Sequence, residues 1–446
     1  MNELLAKFVL RNIAFFRRQP LWQSMKFLEK SQWWSYEQLR EYQRQKLSRL
    51  LNYCSESVPF YKNWFKEHHY QPSDINLENM SILPIIDKAF LRENMNQFVS
   101  NGPKEAIEQA KTSGSTGVAL HFPKSLSSSA VQLAAMYRGH RWHGIDPGAK
   151  EARLWGIPVN KGARYKTLIR DIVLNRFRER EYNITEEVLD DFHLRMKRYK
   201  PVYLMGYTSM VYQFAKYLKE TGQNGYEYKL RMVKCTSETI RDIDRELIES
   251  VFGCPLVSEY GAAETGLIAF QCDKGSQHLM SDCCIVEFVD PVENLGNQGL
   301  KEIIVTNLDN YALPFIRYRI GDLGISSLDR CSCGRELPLI KNIVGRVSDV
   351  IKANDGRRWH SIILYYIMKG LEERHGGVIQ FKVFQRELDR LEFYIVPDNT
   401  FGAEAKKYLN DRCKQTFGEN MRVEFELVDS IPREPSGKIR DFVSTI

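Results

Sequence analysis

Several features are scarce in this 446-residue sequence, and each scarcity excludes a class of protein. No uninterrupted apolar run reaches membrane-spanning length, so we expect no transmembrane helix. The excess of 63 basic over 56 acidic residues gives a formal net charge of only +7 and forms no lysine- and arginine-rich block, so we expect no nucleic-acid partner. No internal repeat or low-complexity tract is visible, and a hydrophobic content of 43% is typical of a globular protein with a large core.

The cysteines are too few for a disulfide framework, and their number is odd. The chain has nine cysteines, an odd count, and shows no signal-peptide pattern with a small-residue cleavage site. We therefore expect reduced thiols in a cytoplasmic protein.

The first segment, residues 4–18, is apolar and basic together. Glu3, Lys7 and Arg11 interrupt it too often for a transmembrane span. Two arrangements fit such a helix. It can lie on a membrane surface with its apolar face down and its arginines near lipid phosphates, or it can pack on its own domain.

The predicted secondary structure changes along the chain. Residues 1–105 look helical and irregular, whereas residues 110–325 alternate between strands and helices. This alternation predicts an α/β fold, in which helices cover β-sheets and ligands bind beyond strand ends. A smaller α+β pattern follows a glycine-flanked hinge at 345–349. The predicted domains are a large N-terminal domain, 1–345, and a small C-terminal domain, 350–446.

Individual elements follow from the period of the apolar residues. In the large domain they are strands 204–207, 233–236 and 255–257 with helices 211–218 and 240–252. In the small domain they are strands 378–384, 391–396 and 423–428 with a helix at 403–417.

One loop stands out because nearly all its residues are glycines or hydroxyl-bearing side chains: Thr112, Ser113, Gly114, Ser115, Thr116 and Gly117. Glycines permit the positive φ angles that turn successive N–H groups inward, so the loop can hold a phosphate. It lies between two charge-bearing segments that look helical. A flexible surface turn is the alternative, whereas a P-loop NTPase is excluded because Val118, not lysine, follows Gly117.

Three further motifs carry side chains suited to a nucleotide. Tyr260 and Glu264 follow the strand predicted at 255–257; a tyrosine can stack on a purine, and a carboxylate can hold Mg²⁺. Asp322 follows a glycine and can accept from ribose hydroxyls, and Lys438 lies on a proline- and glycine-containing loop. Each also has an ordinary structural reading as a core tyrosine, a solvated carboxylate or a tail lysine.

The order of the motifs resembles that of the adenylate-forming ligase superfamily, which includes the acyl-CoA synthetases. Within it the chain is most similar to the phenylacetate-CoA ligase branch and its CapK-like, capsule-biosynthesis relatives. The resemblance covers nearly the whole chain and rests on Thr112–Gly117, Tyr260–Glu264, Tyr318–Asp322, Gly345–Asp349 and Pro435–Lys438.

The resemblance implies a two-step reaction. A small-molecule carboxylic acid attacks the α-phosphate of ATP, giving an acyl-adenylate and pyrophosphate, and a nucleophile then displaces AMP. That nucleophile is the thiol of coenzyme A or, alternatively, an amine or hydroxyl of a sugar in surface-polysaccharide biosynthesis. The family also implies a homodimer. A degenerate nucleotide-binding scaffold is the non-enzyme alternative, and retention of Glu264 and Lys438 argues against it.

The resemblance also implies residue roles. The loop Thr112–Gly117 would hold the β- and γ-phosphates, Glu264 would hold Mg²⁺, and Lys438 would bridge the carboxylate and the α-phosphate. The other residues of the implied nucleotide site are Ser237, Glu238, Tyr260, Gly261, Thr265, Asp322 and Arg346.

The chain departs from the family pattern at three motifs. Val118, Ala119 and Leu120 follow the phosphate-type loop, where the family often has a lysine. Ala263 stands where a threonine or serine usually precedes the metal-binding glutamate, so one α-phosphate contact is either missing or supplied by Thr265. Ser348 and Asp349 replace paired aspartates at the hinge, which leaves the pivot residue open.

A second metal is predicted from cysteine and histidine spacing. Cys331 and Cys333 form one close pair, and Cys272 with His278 forms another. Four nitrogen and sulfur ligands in two clusters are typical of structural Zn²⁺, and the phenylacetate-CoA ligase branch carries a similar arrangement. The alternative is four ordinary thiol and imidazole groups; the remaining cysteines are predicted to be packing residues.

Overall fold

The computed structural model describes residues 1–102, 105–112, 119–155, 161–179, 185–291, 299–347, 349–375, 377–432 and 440–446. The chain divides into two compact units. Unit 1 comprises Met1–Glu287, Ile304–Ile320 and Ser326–Lys341, and unit 2 comprises Phe288–Ile303, Gly321–Ile325 and Asn342–Ile446. The predicted α/β fold with a separate C-terminal sheet is confirmed. The unit boundaries fall inside strands, and the division at 345–350 stays a prediction.

The helices of unit 1 cover its sheet and form most of its N-terminal part. They are α1 Glu3–Phe16, α2 Leu21–Ser31, α3 Tyr36–Ser57, α4 Pro59–Glu67, α5 Lys88–Glu93, α6 Met95–Phe98, α7 Leu126–Trp142, α8 Lys161–Val173, α9 Glu186–Tyr199, α10 Thr208–Glu220 and α11 Asp242–Phe252. In the described part of the chain, no helix combines the length and apolar character that crossing a bilayer requires.

The strands of unit 1 are β1 Ile107–Lys111, β2 His121–Ser125, β3 Glu151–Leu154, β4 Arg176–Arg178, β5 Tyr203–Gly206, β6 Met232–Thr236, β7 Leu256–Ala262, β8 Gly266–Gln271 and β9 Gln277–Leu279. Four more strands contribute residues to both units: β10 Cys284–Val289, β11 Lys301–Asn307, β12 Tyr318–Ser327 and β13 Leu339–Arg346.

A parallel sheet in the order β4-β3-β5-β6-β7 lies at the centre of unit 1. Every residue of β5 is buried, as expected for a parallel strand covered on both faces. The strands predicted at 204–207 and 233–236 are confirmed as β5 and β6. Strands β8 and β9 continue the sheet from β7 with antiparallel pairing.

The surroundings of the phosphate-type loop differ from the prediction. The flanking segments are not helical: β1 and β2 pair as an antiparallel hairpin, with Ile107 opposite Ser125 and Lys111 opposite His121. The charges that suggested a helix lie on alternate sides of these strands instead. Pairing between strands outweighs the local preference, which the residue types alone do not reveal.

The tyrosine motif also lies differently from the prediction. Tyr260 and Gly261 are inside β7, which continues through Ala262, and Glu264 lies in the turn that joins β7 to β8. The strand predicted at 255–257 was therefore too short. Its carboxyl end pairs with β8 across a bulge between Tyr260 and Gly261, and this pairing extends the strand.

Helix α7 is fixed by a buried ion pair. Arg138 and Asp282 are both fully buried, and the second Arg138 amino group donates to the Asp282 carboxylate at 3.0 Å. Arg138 also donates to the carbonyl of Leu28 at the end of α2, and Ser31 donates to the same carboxylate. One charge pair thus connects two helices with the turn before β10.

The described part of unit 2 outside the shared strands contains α12 Ile362–His375 and α13 Ala403–Phe417, with β14 Val350–Lys352, β15 Arg358–His360, β16 Val378–Glu387, β17 Arg390–Pro397, β18 Arg422–Leu427 and β19 Phe442–Ser444. Its larger sheet has the order β18-β17-β16-β19. Buried residues such as Val383, Phe393 and Leu409 form its core. The predicted strands at 378–384, 391–396 and 423–428 and the helix at 403–417 are confirmed.

Candidate functional site

The base of the phosphate-type loop is closed by Thr112. Its N–H donates to the Leu120 carbonyl at 3.0 Å, and its hydroxyl accepts from the Leu120 N–H at 2.9 Å. Lys88, at the start of α5, donates to the same hydroxyl at 3.1 Å. These bonds hold the two ends of the loop together. The remaining predicted residues, Ser113–Gly117, lie outside the described residues.

Glu264 is a buried carboxylate in the β7–β8 turn, with 8% of its surface exposed. The Tyr318 hydroxyl donates to one of its oxygens at 3.0 Å. A buried carboxylate is costly unless it is paired or binds a cation, so the position suits an oxygen ligand for a hard divalent ion.

Thr265, next to Glu264, has a buried hydroxyl that finds no hydrogen-bond partner among the described residues. Its backbone carbonyl is held at 2.9 Å by the side-chain amide of Asn307. An unsatisfied buried hydroxyl costs about 1–3 kcal/mol, so such groups are exceptions that call for a cause. A ligand oxygen is one such cause, and it fits the proposal that Thr265 replaces the hydroxyl missing at Ala263.

Lys124, on β2, is a buried cation that the sequence analysis missed. Its ammonium donates to the side-chain oxygen of Gln132 and approaches the Ala263 carbonyl at 3.5 Å, and both acceptors are neutral. Burial lowers the pKa of Lys124 to about 8, although the carboxylates of Glu108 and Glu264 oppose this shift. The ammonium thus lies beside the turn that carries Glu264.

Ser237 and Glu238 follow β6 directly. Ser237 has a φ of 70°, a left-handed conformation that residues with a side chain adopt rarely and that is common at functional sites. The Glu238 carboxylate accepts from the N–H and the hydroxyl of Ser209 at 2.8 and 3.0 Å, at the start of α10. These bonds tie the carboxyl end of β6 to the helix that follows β5.

Tyr260 and Gly261 lie at the β7 bulge. A side chain at position 261 would come within 2.5 Å of the Gly266 carbonyl oxygen, so glycine is required there. The half-buried Tyr260 is opposite Ala269 of β8. The glycine therefore fixes the backbone that carries the aromatic ring.

Three of the predicted site residues belong to the C-terminal part of the chain. Asp322 and Arg346 form an ion pair within unit 2, with the Arg346 Nε 3.1 Å from a carboxylate oxygen. Lys438 lies outside the described residues, as does Ser348 of the hinge. The other hinge residue, Asp349, accepts from Arg440 at 2.8 Å, so its carboxylate is anchored within unit 2.

The four predicted zinc ligands converge in unit 1. The ligand atoms of Cys272, His278, Cys331 and Cys333 all lie within 4.8 Å of one another. The sulfurs of Cys272 and Cys331 are 3.6 Å apart, and the Cys333 sulfur is 3.3 Å from the His278 Nε2. Zn–S bonds of about 2.3 Å and Zn–N bonds of about 2.0 Å in a tetrahedron give ligand separations of this size.

Backbone groups orient these ligands. The His278 Nδ1 hydrogen-bonds to the Leu337 carbonyl at 2.9 Å, which directs Nε2 towards the cysteines. The N–H groups of Lys274 and Cys333 point at the sulfurs of Cys272 and Cys331, at 3.4 and 3.5 Å. The residues therefore fit a closed, four-ligand Zn²⁺ site. Every cysteine is free of disulfide bonds, and those outside the cluster are buried packing residues, as predicted.

Two CoA ligases of known structure have the same fold. 2-Hydroxyisobutyryl-CoA ligase, in the postadenylation state with R3-HIB-AMP, matches with a TM-score of 0.73 and 20% identity over 92% of this chain and 90% of that chain. The anthranilate CoA ligase AuaEII with anthranoyl-AMP matches with a TM-score of 0.53 and 15% identity, over 75% of this chain and 66% of that chain. The fold is that of the adenylate-forming ligases.

Sequence relatives narrow the class to one branch. Residues 351–445 match the CapK C-terminal domain family. Protein CapK of Staphylococcus aureus is 25% identical over 426 residues, 92% of this chain and 90% of CapK. A phenylacetate-coenzyme A ligase of Thermus thermophilus is 23% identical over 337 residues, 71% of this chain and 72% of that ligase. The predicted resemblance is confirmed: in sequence the chain is similar to CapK and to phenylacetate-CoA ligases, and its fold is that of the adenylate-forming ligases.

Proposed function

We propose that this protein is an ATP-dependent, AMP-forming ligase that activates a small carboxylic acid and transfers the acyl group to coenzyme A. The similarity to CoA ligases over most of the chain supports this function. The structural observation that carries it lies at the β7–β8 turn, where the buried carboxylate of Glu264 is next to the Thr265 hydroxyl, which has no hydrogen-bond partner in the described part of the chain.

The chemistry requires two substitutions. A carboxylate oxygen of the acid bonds to the α-phosphorus of ATP while the bond from that phosphorus to the β-phosphate oxygen breaks, releasing pyrophosphate. The sulfur of coenzyme A then bonds to the acyl carbon as its thiol proton is lost, and AMP leaves. Two anions meet in the first step, so cations and hydrogen-bond donors that stabilise the developing charge are the main catalytic requirement.

For the nucleotide, we propose the roles that the motifs imply. Tyr260 stacks on adenine beside Ser237 and Glu238, and Asp322 with Arg346 binds the ribose. The left-handed backbone of Ser237 and the glycine required at position 261 support the first assignment, because both fix local geometry at strand ends. The loop Thr112–Gly117 holds the β- and γ-phosphates, and Lys438 bridges the carboxylate and the α-phosphate.

For the phosphates, we propose that Glu264 holds Mg²⁺, which neutralises phosphate charge when it is bound. Magnesium usually takes one or two carboxylates and completes its coordination with phosphate oxygens and water, and a single buried glutamate suits this pattern. Thr265 donates to the α-phosphate in place of the residue missing at Ala263. The ammonium of Lys124 adds a further positive charge at the same turn.

The contact from Thr265 is tested by Thr265→Val, which exchanges the hydroxyl for a methyl group of similar size. Because the buried hydroxyl has no hydrogen-bond partner among the described residues, we expect thermal stability to rise slightly and kcat/KM for ATP to fall by about tenfold. Ser250→Ala, an exposed position on α11, is the control. A loss of stability with unchanged kinetics would instead assign the hydroxyl a structural role.

We also propose that Cys272, His278, Cys331 and Cys333 hold a structural Zn²⁺. The convergence of four ligand atoms within 4.8 Å and the backbone bond to His278 support it. Four protein ligands leave no open coordination position, so this metal has no direct part in catalysis.

A second function is favoured by one observation: the match to the CapK C-terminal domain covers residues 351–445, and CapK is similar over nearly the whole chain. The acyl group would then pass to an amine or hydroxyl of a sugar, in surface-polysaccharide biosynthesis. On the family resemblance alone, we propose a homodimer in the cytoplasm.

The two acceptors are separated by incubating the purified protein with ATP, magnesium, a panel of carboxylic acids and either coenzyme A or an aminosugar. Pyrophosphate release identifies the acid, and mass spectrometry identifies the product. We expect a thioester, and Glu264→Gln to abolish its formation. An amide or ester on the sugar without any thioester would favour the second function, and no pyrophosphate release with any acid would reject both.

A further inference from the structure

Helix α1 is attached to unit 1 through a narrow face of two alanines and one leucine. Ala6, Leu10 and Ala14 are buried, and a side chain at Gly148 would come within 2.9 Å of the α1 backbone. The helix therefore lies against the rest of unit 1 through its backbone and alanines. It is an ordered element of the fold, and its outward face has a fixed orientation.

Five large apolar residues of α1 point away from this contact. Their exposed fractions range from 53% to 80%, and they are Leu4, Leu5, Phe8, Phe15 and Phe16. In a helix that only packs on its own domain, the largest apolar side chains face inward. Here that arrangement is reversed, which leaves two phenylalanines at the end of the helix in water.

The neighbouring helix α8 contacts α1 and has the same property. Tyr165, Leu168, Ile169 and Ile172 follow the spacing of one helix face, and their exposed fractions range from 42% to 68%. We call the exposed apolar residues of α1 and α8 together the outer apolar surface. Contiguous exposed apolar patches on soluble domains usually mark a binding site.

The charges on these helices are mainly basic. Arg11, Arg17, Arg18 and Arg170 are exposed, and Glu3 is the exposed acidic residue of α1. Arg17 pairs with Glu108 at 3.0 Å, and both side chains stay well exposed to solvent. Exposed apolar side chains with arginines beside them suit a partner that is apolar inside and negatively charged outside.

We propose that the outer apolar surface docks this protein on an anionic phospholipid bilayer. The two helices lie flat in the interface, with their phenylalanine, leucine and isoleucine side chains among the acyl chains and their arginines at the headgroups. Spanning is not involved, since no described helix is suited to it. The inference is independent of the proposed ligase activity and extends the surface beyond the N-terminal helix that the sequence indicates.

The test is sedimentation of the full-length protein with vesicles. One set contains phosphatidylcholine alone, and the other contains phosphatidylcholine mixed with phosphatidylglycerol. We expect strong binding to the anionic vesicles, weak binding to the neutral ones, and a decline as salt is added. Failure of the wild-type protein to sediment with anionic vesicles would overturn the proposal.

Two double variants test the two helices separately: Phe15→Gln with Phe16→Gln on α1, and Ile169→Gln with Ile172→Gln on α8. Each should lower vesicle binding by about tenfold or more. Because these side chains are exposed, thermal stability should stay unchanged. The matched control is Leu328→Gln, which alters a fully exposed leucine on neither helix and should bind as the wild type does.

Two outcomes would contradict the assignment of the surface. If the α8 variant binds as the wild type does, α8 is not part of the docking surface. If the variants instead reduce the mass of an oligomer measured by analytical ultracentrifugation and leave vesicle binding unchanged, a second copy of the chain covers the surface. Arg11→Gln with Arg18→Gln should remove the preference for anionic vesicles, which separates lipid charge from apolar burial.

Discussion

Lys124 keeps a positive charge inside the protein next to neutral hydrogen-bond acceptors. Burial of a charge is unfavourable, and it lowers the pKa of this lysine to about 8 even though the carboxylates of Glu108 and Glu264 favour the charged form. Proteins tolerate such a cost mainly where the charge has a use. The position of Lys124 beside the Glu264 turn gives the charge such a use, because the nucleotide phosphates proposed to bind there are anionic.

Lys124→Met should therefore affect stability and activity in opposite directions. We expect the free energy of unfolding at pH 7 to rise by about 1–3 kcal/mol, since the buried charge is gone, and kcat/KM for ATP to fall by about tenfold or more. Chemical denaturation and pyrophosphate release measure the two effects. Lys407→Met, an exposed lysine on α13, is the control. A less stable variant with unchanged kinetics would contradict the assigned role.

The same lysine predicts a pH dependence of stability. From about pH 8 to the ordinary lysine value of 10.5, the unfolded chain still holds a proton that the folded chain has released. The free energy of unfolding contributed by Lys124 therefore rises with pH across this window. In denaturation curves measured at several pH values, this rise should be present in the wild type and absent from Lys124→Met. Equal slopes in both proteins would show that Lys124 does not titrate there.

The sequence indicates some residues of the candidate site and gives no sign of others. Glu264 and Thr265 lie in or next to a recognisable motif, so the sequence alone indicates them as candidate site residues. Lys124 has no motif, and its burial follows from the β1–β2 hairpin, which places it opposite Glu108. If residues 121–125 are read as an alternating strand, Phe122 and Lys124 lie on the same face, and this pattern could have indicated that Lys124 is buried.

At the scale of elements, the four proposed zinc ligands come from two segments that are far apart in sequence. Cys272 precedes the turn before β9, and His278 lies within β9. Cys331 and Cys333 belong to the segment before β13, and β13 pairs with β9 at His278. A bound ion would therefore hold this strand pairing in place. Its contribution to stability depends on how tightly the ion is bound.

Cys331→Ser should abolish zinc binding, measured as metal content by mass spectrometry. At free zinc near one hundred times Kd, the loss corresponds to about 3 kcal/mol of stabilisation. Treating the wild type with a chelator should lower its melting temperature in the same way. Cys254→Ser, a buried cysteine outside the cluster, should keep its zinc even though it loses some stability. Metal-free wild type with an unchanged melting temperature would contradict a structural role.

Elements with strong local periodicity were predictable and the hairpin was not. The strands and helix of the C-terminal sheet were placed correctly because their apolar residues alternate or recur at helical spacing. The β1–β2 hairpin was misread because short charged segments such as 107–111 carry little periodicity, and only pairing with 121–125 makes them strands. The length of β7 was likewise set by its partner β8.

At the scale of the whole molecule, the lysine proposed to act in catalysis, Lys438, and the loop proposed to bind the phosphates, 112–117, are far apart in the sequence. We expect Lys438→Ala to reduce pyrophosphate release by about 10²–10³-fold, because the charge developing at the α-phosphate loses its cation. Formation of thioester from supplied acyl-adenylate and coenzyme A should change by less than about threefold. Lys407→Ala is the control. Equal losses in both half-reactions would reject a role confined to adenylation, and unchanged pyrophosphate release would favour a scaffold.

The family and the α/β architecture were predictable from the order of motifs across the chain. The acid that is activated was not, because an acyl pocket is formed by side chains from many elements and has no linear signature. Only the α1 part of the outer apolar surface was predictable from the sequence. The sequence indicates α1, but its pairing with α8 depends on contacts between residues more than a hundred positions apart.

The buried ion pair of Arg138 and Asp282 limits which substitutions this protein can accept during evolution. Replacing either residue alone leaves an unpaired charge in the interior, which should cost about 3–5 kcal/mol, whereas Arg138→Met with Asp282→Leu together should be nearly neutral. Unfolding of the two single variants and the double variant would measure this coupling. The route between two comparably stable sequences thus passes through unstable ones, so descendants of this chain should inherit both residues or neither.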